Sequence, residues 1–390
     1  MPPFTKRLEN LPSTLWSKIT QIEELKGRWI SGAKLNPQVL GRLKKSVLVT
    51  STGASTRIEG ARLSDEDVEK LMRGLSVQKF ADRDKQEAQG YYELLKNVFE
   101  FWQAIPFSES TIKHFHKELL KYVEKDKLHR GQYKHSENKV HMIDEAGKSV
   151  GVLFDTTPAY LTPKETLELV EATEAAAKDK TIHPLLIIGN FLVEFLLIHP
   201  FQDGNGRLSR IMTNLLLLKH GYEYVPYVSH EKLVEDNKAD YYLALRRSQK
   251  TLRGKAPNLV PWLEFFLSVV HKQSEEAVGL LSSENIERIL SPKQMDVWRY
   301  LQTAVEVTPA QISQGAGVAR PTVNQVLDKL LKLKKIDAKP GTKFDPDLHE
   351  AILFDENAEG EHEVIADEMP TGYTLNGRPI RHSMVKVTRK

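Results

Sequence analysis

Residues 199–210 read HPFQDGNGRLSR, and they lie between two apolar runs, LLIIGNFLVEFLLI at 185–198 and RLSRIMTNLLLLKHG at 207–221. The first run is apolar all round, which marks a buried helix, and Pro184 suits its first turn. At 14 residues with Glu194 inside, it is too short to span a bilayer. The second run is also helical and largely apolar, with Gly221 placed to end it. The polar dozen therefore joins two central helices, and its second half forms a helix N-terminus. Such an end collects unpaired N–H groups and positive dipole, so it favours an anion. Gly204 and Gly206 let that anion approach the backbone. Arg207 and Arg210, three apart, share a helix face and can each grip phosphate oxygens. Asp203 is a hard oxygen ligand suited to a Mg²⁺ that bridges phosphates. His199, at the opposite mouth, can stay neutral near pH 7 and accept a proton. A plain helix-to-helix turn, with Asp203 and Asn205 as cap residues and two surface arginines, accounts for the same residues taken a few at a time.

The composition narrows the classes of function. The 390 residues are 40% apolar and 27% charged, as in an ordinary water-soluble protein, and the net charge of +3 gives no global field toward nucleic acid or a membrane surface. There is no cysteine. That excludes a disulfide framework, a thiolate nucleophile and cysteine zinc sites, and it fits a cytoplasmic setting. The start, MPPFTKRLEN, has no apolar stretch of the secretory kind.

The pattern along the chain is mainly α. Apolar spacing predicts helices over 11–29, 37–50, 86–104, 108–123, from Pro163, and over 184–199, 205–220, 230–252 and 256–277. Ser64 with Asp67 has the spacing of a capping box opening a short helix before Gly74. Residues 131–154 alternate and carry glycines at 147 and 151, which predicts a β-hairpin. Within STRIEG at 55–60, Thr56 and Glu59 also have capping-box spacing, with Gly60 placed to end a short helix. The style changes near 282–292. The expected division is an N-terminal helical region at 1–82, a core at 83–280, and a further domain and tail at 285–390.

The stretch at 199–210 resembles the signature of the Fic (filamentation induced by cAMP) family, HPFx[DE]GNGRxxR, at every fixed position. The pair His183–Pro184, the hairpin, EDNKADYYLALRRSQ at 235–249 and PWLEFF at 261–266 also look like Fic features, so the resemblance covers roughly 50–270. It implies a Fic-type helical core with a hairpin flap that pairs with a target peptide. It also implies a protein adenylyltransferase that moves AMP from ATP to a Ser, Thr or Tyr hydroxyl of a target protein, itself included. Carried over by motif position, His199 deprotonates the hydroxyl and Asp203 holds Mg²⁺. Gly204, Asn205 and Gly206 form the anion hole, and Arg207 and Arg210 hold the β- and γ-phosphates. Tyr241 and Tyr242 would approach the adenine. Lys134 stands where the family commonly has an arginine, which puts target docking through that side chain in question. Ser55, Glu59 and Gly60 match the family's inhibition motif [ST]xxxE[GN], in which the glutamate pairs with the second arginine of the signature.

Beyond residue 290, SPKQMDVWRYLQTA, VTPAQISQGAG and ARPTVNQVLDKLLKLKKI read as the three helices of a winged helix-turn-helix. Arg320, Thr322, Asn324, Gln325 and Lys329 would face a major groove, with Lys332, Lys334 and Lys335 on phosphates. Docking of a protein, or of a second copy as a homodimer, is the alternative use. Residues 355–368 are acidic and 372–387 strand-like, without a function of their own in this reading. Three classes of activity stay open: a self-inhibited AMP transferase, another Fic-type phosphoryl chemistry such as AMP removal, and a DNA-binding regulator with a Fic sensor.

Overall fold

A computed structural model of the chain describes residues 4–32, 37–73, 82–137, 139–143, 149–281, 296–297, 300, 308–324, 327, 333–335, 337–345, 349–354, 363–368, 373–375, 378–381 and 383–389. The chain divides into two compact units, Met1–Val278 and Gly279–Lys390. The boundary expected at 282–292 and the candidate DNA contacts Gln325, Lys329 and Lys332 lie outside the described residues.

The first unit is built around α7 (Pro184–Ile198), whose residues from Leu185 to Ile198 are all buried, as an all-round apolar helix requires. Helices α6 (Thr162–Asp179), α8 (Asn205–Lys219) and α10 (Lys238–Leu252) pack on it. Trp262 of α11 (Val260–Leu281) reaches in to donate from Nε1 to the Gly189 carbonyl at 2.7 Å. The outer layer comprises α1 (Ser13–Gly32), α2 (Pro37–Ile58), α3 (Asp65–Arg73), α4 (Arg83–Phe101), α5 (Glu109–Leu119) and α9 (His230–Asp236). Strands β1 (Lys139–Ile143) and β2 (Ser149–Asp155) form the antiparallel hairpin, pairing Lys139 with Asp155 and Ile143 with Ser149. The capping box at Ser64 and Asp67 forms at the head of α3, each residue bonding the other's backbone N–H at 3.1 Å.

Two elements depart most from the sequence pattern. The helix expected to end near Thr50 runs on to Ile58, so STRIEG is the C-terminal end of α2. Thr56 makes no capping box: its hydroxyl donates back to the carbonyls of Thr52 and Gly53, as hydroxyls do inside helices. Gly60, at φ 101°, supplies the left-handed stop. The pattern at 230–252 is two helices, because the chain turns at Asn237 between α9 and α10.

In the second unit, α12 (Pro309–Ala316) opens with a capping box between Thr308 and Gln311 and closes at Gly317, φ 64°. Residues 320–324 return to helix, and Val297, Ile312, Val318 and Val323 share a small core. Strands β3 (Leu333–Lys335), β6 (Tyr373–Leu375) and β7 (Arg378–Arg381) make one sheet. Strands β4 (His349–Phe354), β8 (Ser383–Arg389) and β5 (Glu363–Glu368) make another, with β4 parallel to β8. Ile365, Val385, Val387 and Ala338 fill the interior of the second sheet. This is far more strand than a helix-turn-helix with one wing requires. Among the described residues no helix is long and apolar enough to cross a membrane.

The N-terminal segment is fastened to the central helix by a buried ion pair between Arg7 and Glu194 and by a bond from Asn190 Nδ2 to the Phe4 carbonyl at 2.8 Å. Burial pushes the Glu194 carboxyl up, and Arg7 opposes that shift. Removing one partner of such a pair leaves a bare charge in the core. Arg7→Met is expected to lower stability by about 3 kcal/mol in urea unfolding, and Arg7→Met with Glu194→Met to recover most of it.

Candidate functional site

The polar dozen forms where α7 ends and α8 begins. Backbone conformation turns the chain twice: His199 closes α7 at φ 52°, ψ 63°, and Gly204 opens α8 at φ 80°. Asn205 fixes the loop between them, accepting from Phe201 N at 3.0 Å and donating to Phe201 O at 2.8 Å. Its side chain is thereby committed to the loop, so Asn205 faces an anion only through its backbone N–H. Phe201 is fully buried and stacks on His116 of α5, ring centroids 3.8 Å apart. His116 binds on both edges: Nδ1 accepts from Gly131 N at 2.9 Å, and Nε2 donates to the Asp203 carbonyl at 3.0 Å. Burial drives this imidazole down to about 4, in keeping with a neutral ring that donates at one nitrogen and accepts at the other.

His199 is half-buried. Its Nδ1 lies 3.2 Å from the Leu196 carbonyl, which can only accept, so Nδ1 carries the proton and Nε2 keeps its lone pair. Burial lowers this imidazole to about 4; the Leu196 carbonyl opposes the shift and Lys134 reinforces it. The ring is therefore an uncharged proton acceptor at neutral pH.

Charge is concentrated on the other side of the loop. Arg207, 2% exposed, pairs with Glu87 of α4 at 2.5 Å and with Asp203 Oδ1 at 3.2 Å. Asp203 Oδ2 is held at 2.5 Å by Arg83, which also pairs with Glu87 and Asp126. Burial raises the Asp203 carboxyl, but Arg207, the Gly204 N–H and Arg83 outweigh it and leave the group more acidic than usual. Arg207 Nε and Arg210 Nη1 are buried and take no hydrogen bond.

Arg210 closes the site against α2. Its Nε donates to Ser55 Oγ at 2.8 Å, and its Nη2 donates to Ser55 O at 2.9 Å and to Glu59 Oε1 at 2.7 Å. A Cβ built on Gly206 would sit 2.2 Å from that same Glu59 oxygen. The Glu59 carboxylate thus lies in the hollow that Gly206 leaves at the start of α8, where a helix attracts an anion. Arg57 anchors the end of α2 by pairing with Glu235 of α9 at 2.6 Å and with Asp65 at 2.9 Å.

The two tyrosine rings meet edge to face, centroids 5.1 Å apart. Tyr241, 5% exposed, packs its ring against Trp262 and Phe265. Tyr242 points toward the end of α2, its hydroxyl 3.4 Å from the Ile58 carbonyl. The sequence reading brought together His199, Asp203, Gly206, Arg207, Arg210, Ser55 and Glu59, and these do converge. It passed over Arg83, Glu87 and His116, which meet the loop from helices about a hundred residues earlier and carry no local motif.

If Asn205 acts by bracing the loop, Asn205→Ala should lower stability by about 2 kcal/mol, since both of its bonds to the Phe201 backbone would be lost. Asn205→Asp, which keeps the acceptor and loses the donor, should recover only part of it; urea unfolding of both variants measures this.

A model of the Fic/DOC family matches residues 106–217, and a GrpE model matches residues 275–389. Protein GrpE of Methanothermobacter thermautotrophicus is 34% identical over 122 residues, taking in 31% of this chain and 67% of that one. Among solved structures, a Fic family protein from Desulfovibrio desulfuricans aligns with TM-score 0.58 at 23% identity, over 86% of this chain and 93% of its own. A Fic domain containing signaling protein from Bacteroides thetaiotaomicron aligns with TM-score 0.56 at 21% identity, over 67% of this chain and 97% of its own. At these identities the structures establish a shared fold. The GrpE match covers the segment whose sequence suggested a winged helix and a tail. Loop 199–210 lies inside the Fic match, and the chain is a Fic-domain protein whose C-terminal segment belongs to the GrpE family.

Proposed function

We propose that the first unit transfers AMP from ATP to a hydroxyl of a protein and is held inactive by Glu59. The observation that carries this reading is the Glu59 carboxylate bonded to Arg210 and lodged against Gly206, in the place a phosphate would take. In the reaction the target oxygen attacks the α-phosphorus, the bond to pyrophosphate breaks, and the hydroxyl proton passes to His199 Nε2. Arg210 and Arg207 turn their unpaired Nη1 and Nε toward phosphate, and the first N–H groups of α8 serve the same anion. With Glu59 in place, its carboxylate fills the position beside Arg210 and Gly206 that this phosphate needs.

Mg²⁺ fits the donor set only jointly with the substrate. No group of three His, Cys, Asp or Glu side chains suited to a metal occurs among the described residues. Asp203 is a single, partly exposed carboxylate beside the anion site, and Mg²⁺ is commonly held by one or two carboxylates plus substrate phosphates. When bound there, Mg²⁺ compensates charge on the leaving pyrophosphate. Arg83 must then release Asp203 Oδ2.

Glu59 has one oxygen on Arg210 and a third of its side chain exposed, so the same carboxylate is also placed to orient a water for AMP removal. For the second unit the family relation to GrpE supports a protein partner over DNA.

The test is intact-mass spectrometry of the chain and its protein targets after incubation with ATP and Mg²⁺. A charge-assisted pair of roughly 1.5–3 kcal/mol predicts about 10- to 100-fold more AMP adduct for Glu59→Gly than for the parent. His199→Ala in the same background should abolish the adduct while ATP still binds. Equal labelling by the parent and Glu59→Gly would remove the inhibitory reading, and persistent labelling by His199→Ala would remove the base.

A further inference from the structure

Lys134 makes three bonds that converge on the turn at His199. Its backbone N–H donates to the Pro200 carbonyl at 3.0 Å, and its ammonium donates to the Ile198 carbonyl at 3.1 Å and to Thr156 Oγ1 at 2.8 Å. Ile198 and Pro200 flank His199, so one residue holds the carbonyls on both sides of it. Thr156 directly follows β2, so the same side chain ties this turn to the root of the hairpin. Lysine ordinarily extends its ammonium to water, yet Lys134 is 3% exposed. The conformation it surrounds needs support: a non-glycine residue in the left-handed region is strained by about 1 kcal/mol or more and stays there only when its neighbours enforce it.

We propose that Lys134 is the positioning residue for His199, fixing the left-handed turn that aims the imidazole and setting a positive charge beside it. This rests on the reading of His199 as the proton acceptor. The charged groups facing His199 are Lys134, Glu59 and Asp203; those facing Lys134 are Glu137, Glu165 and Arg253. The two carboxylates facing His199 pull the imidazole up, and Lys134 works against them. Burial lowers the Lys134 ammonium itself to about 8, so its charge is in place at neutral pH and below.

The variants are Lys134→Met and Lys134→Arg, each in the Glu59→Gly background. Lys134→Met keeps the backbone bond to Pro200 and loses both ammonium bonds and the charge. It should lower kcat for AMP transfer about 10- to 100-fold, with KM for ATP changed less than about twofold. The acid limb of the kcat profile should move to higher pH, because the Lys134 charge no longer adds to the burial that holds the imidazole down at about 4. Lys134→Arg, a charged donor, should restore most of kcat and the original limb. NMR titration of the His199 ring, assigned by its loss in His199→Ala, reads the same shift without catalysis. Failure of the AMP-transfer reading therefore leaves this measurement standing. Lys134→Gln, an uncharged donor, takes its place in the titration if the methionine variant unfolds. An unchanged His199 titration in a folded Lys134→Met or Lys134→Gln chain, or an unchanged kcat in Lys134→Met, overturns the proposal.

Discussion

The guanidinium of Arg210 is buried between two helices, and a buried guanidinium must have acceptors. In this chain the acceptors come from the end of α2: the hydroxyl and carbonyl of Ser55 and the carboxylate of Glu59. Much of the surrounding structure follows from that one requirement. Helix α2 must run to Ile58 before it stops, Gly60 must then turn the chain away, and Arg57 must hold the end of the helix to Glu235 and Asp65. Gly206 must lack a side chain, because the carboxylate occupies that volume. On the inhibitory reading proposed above, the same arrangement joins stability to regulation. The contact that satisfies Arg210 in the resting chain is the contact a phosphate would have to replace.

A second layer of charge surrounds the loop in a similar way. Asp203, Arg207, Glu87, Arg83 and Asp126 form a chain of ion pairs in which each arginine meets more than one carboxylate. Such a network holds Arg207 and Asp203 in fixed places, the pre-organisation that the proposed phosphate chemistry would draw on. In the proposed reaction a cation at Asp203 would have to displace Arg83, which holds one of its carboxylate oxygens. On the proton-accepting side of the loop the devices are different. His116, Phe201 and Lys134 are packed and hydrogen-bonded, and the two imidazoles stay neutral because burial disfavours their charge.

How much of this was legible in the sequence depended on distance along the chain. Helices α7 and α8 announce themselves, because an all-round apolar run and a polar break have few other meanings. The loop between them carries its chemistry in consecutive residues. Partners brought in by tertiary packing carry no such mark: Arg83 is 120 residues from Asp203, and His116 is 87. STRIEG misled locally, since Thr56 and Glu59 have capping-box spacing, yet helix α2 runs through that spacing because packing against α9 and α4 carries it onward. The pattern at 230–252 hid the turn at Asn237, where apolar spacing stays helical across the joint. In the second unit, short strands drawn from 333–335 and 349–389 pair across long separations, including a parallel pair, and local alternation does not reveal such pairings.

The inhibitory role of Glu59 requires that its carboxylate occupy a site made for phosphate. Isothermal titration of inorganic tripolyphosphate at saturating Mg²⁺, into the parent chain and into Glu59→Gly, addresses that without adenine, target or turnover. If the carboxylate competes with phosphate for Arg210 and the start of α8, the variant binds at least about tenfold more tightly than the parent. Equal affinities would mean that Glu59 and the anion do not share a site, and the central claim would be wrong.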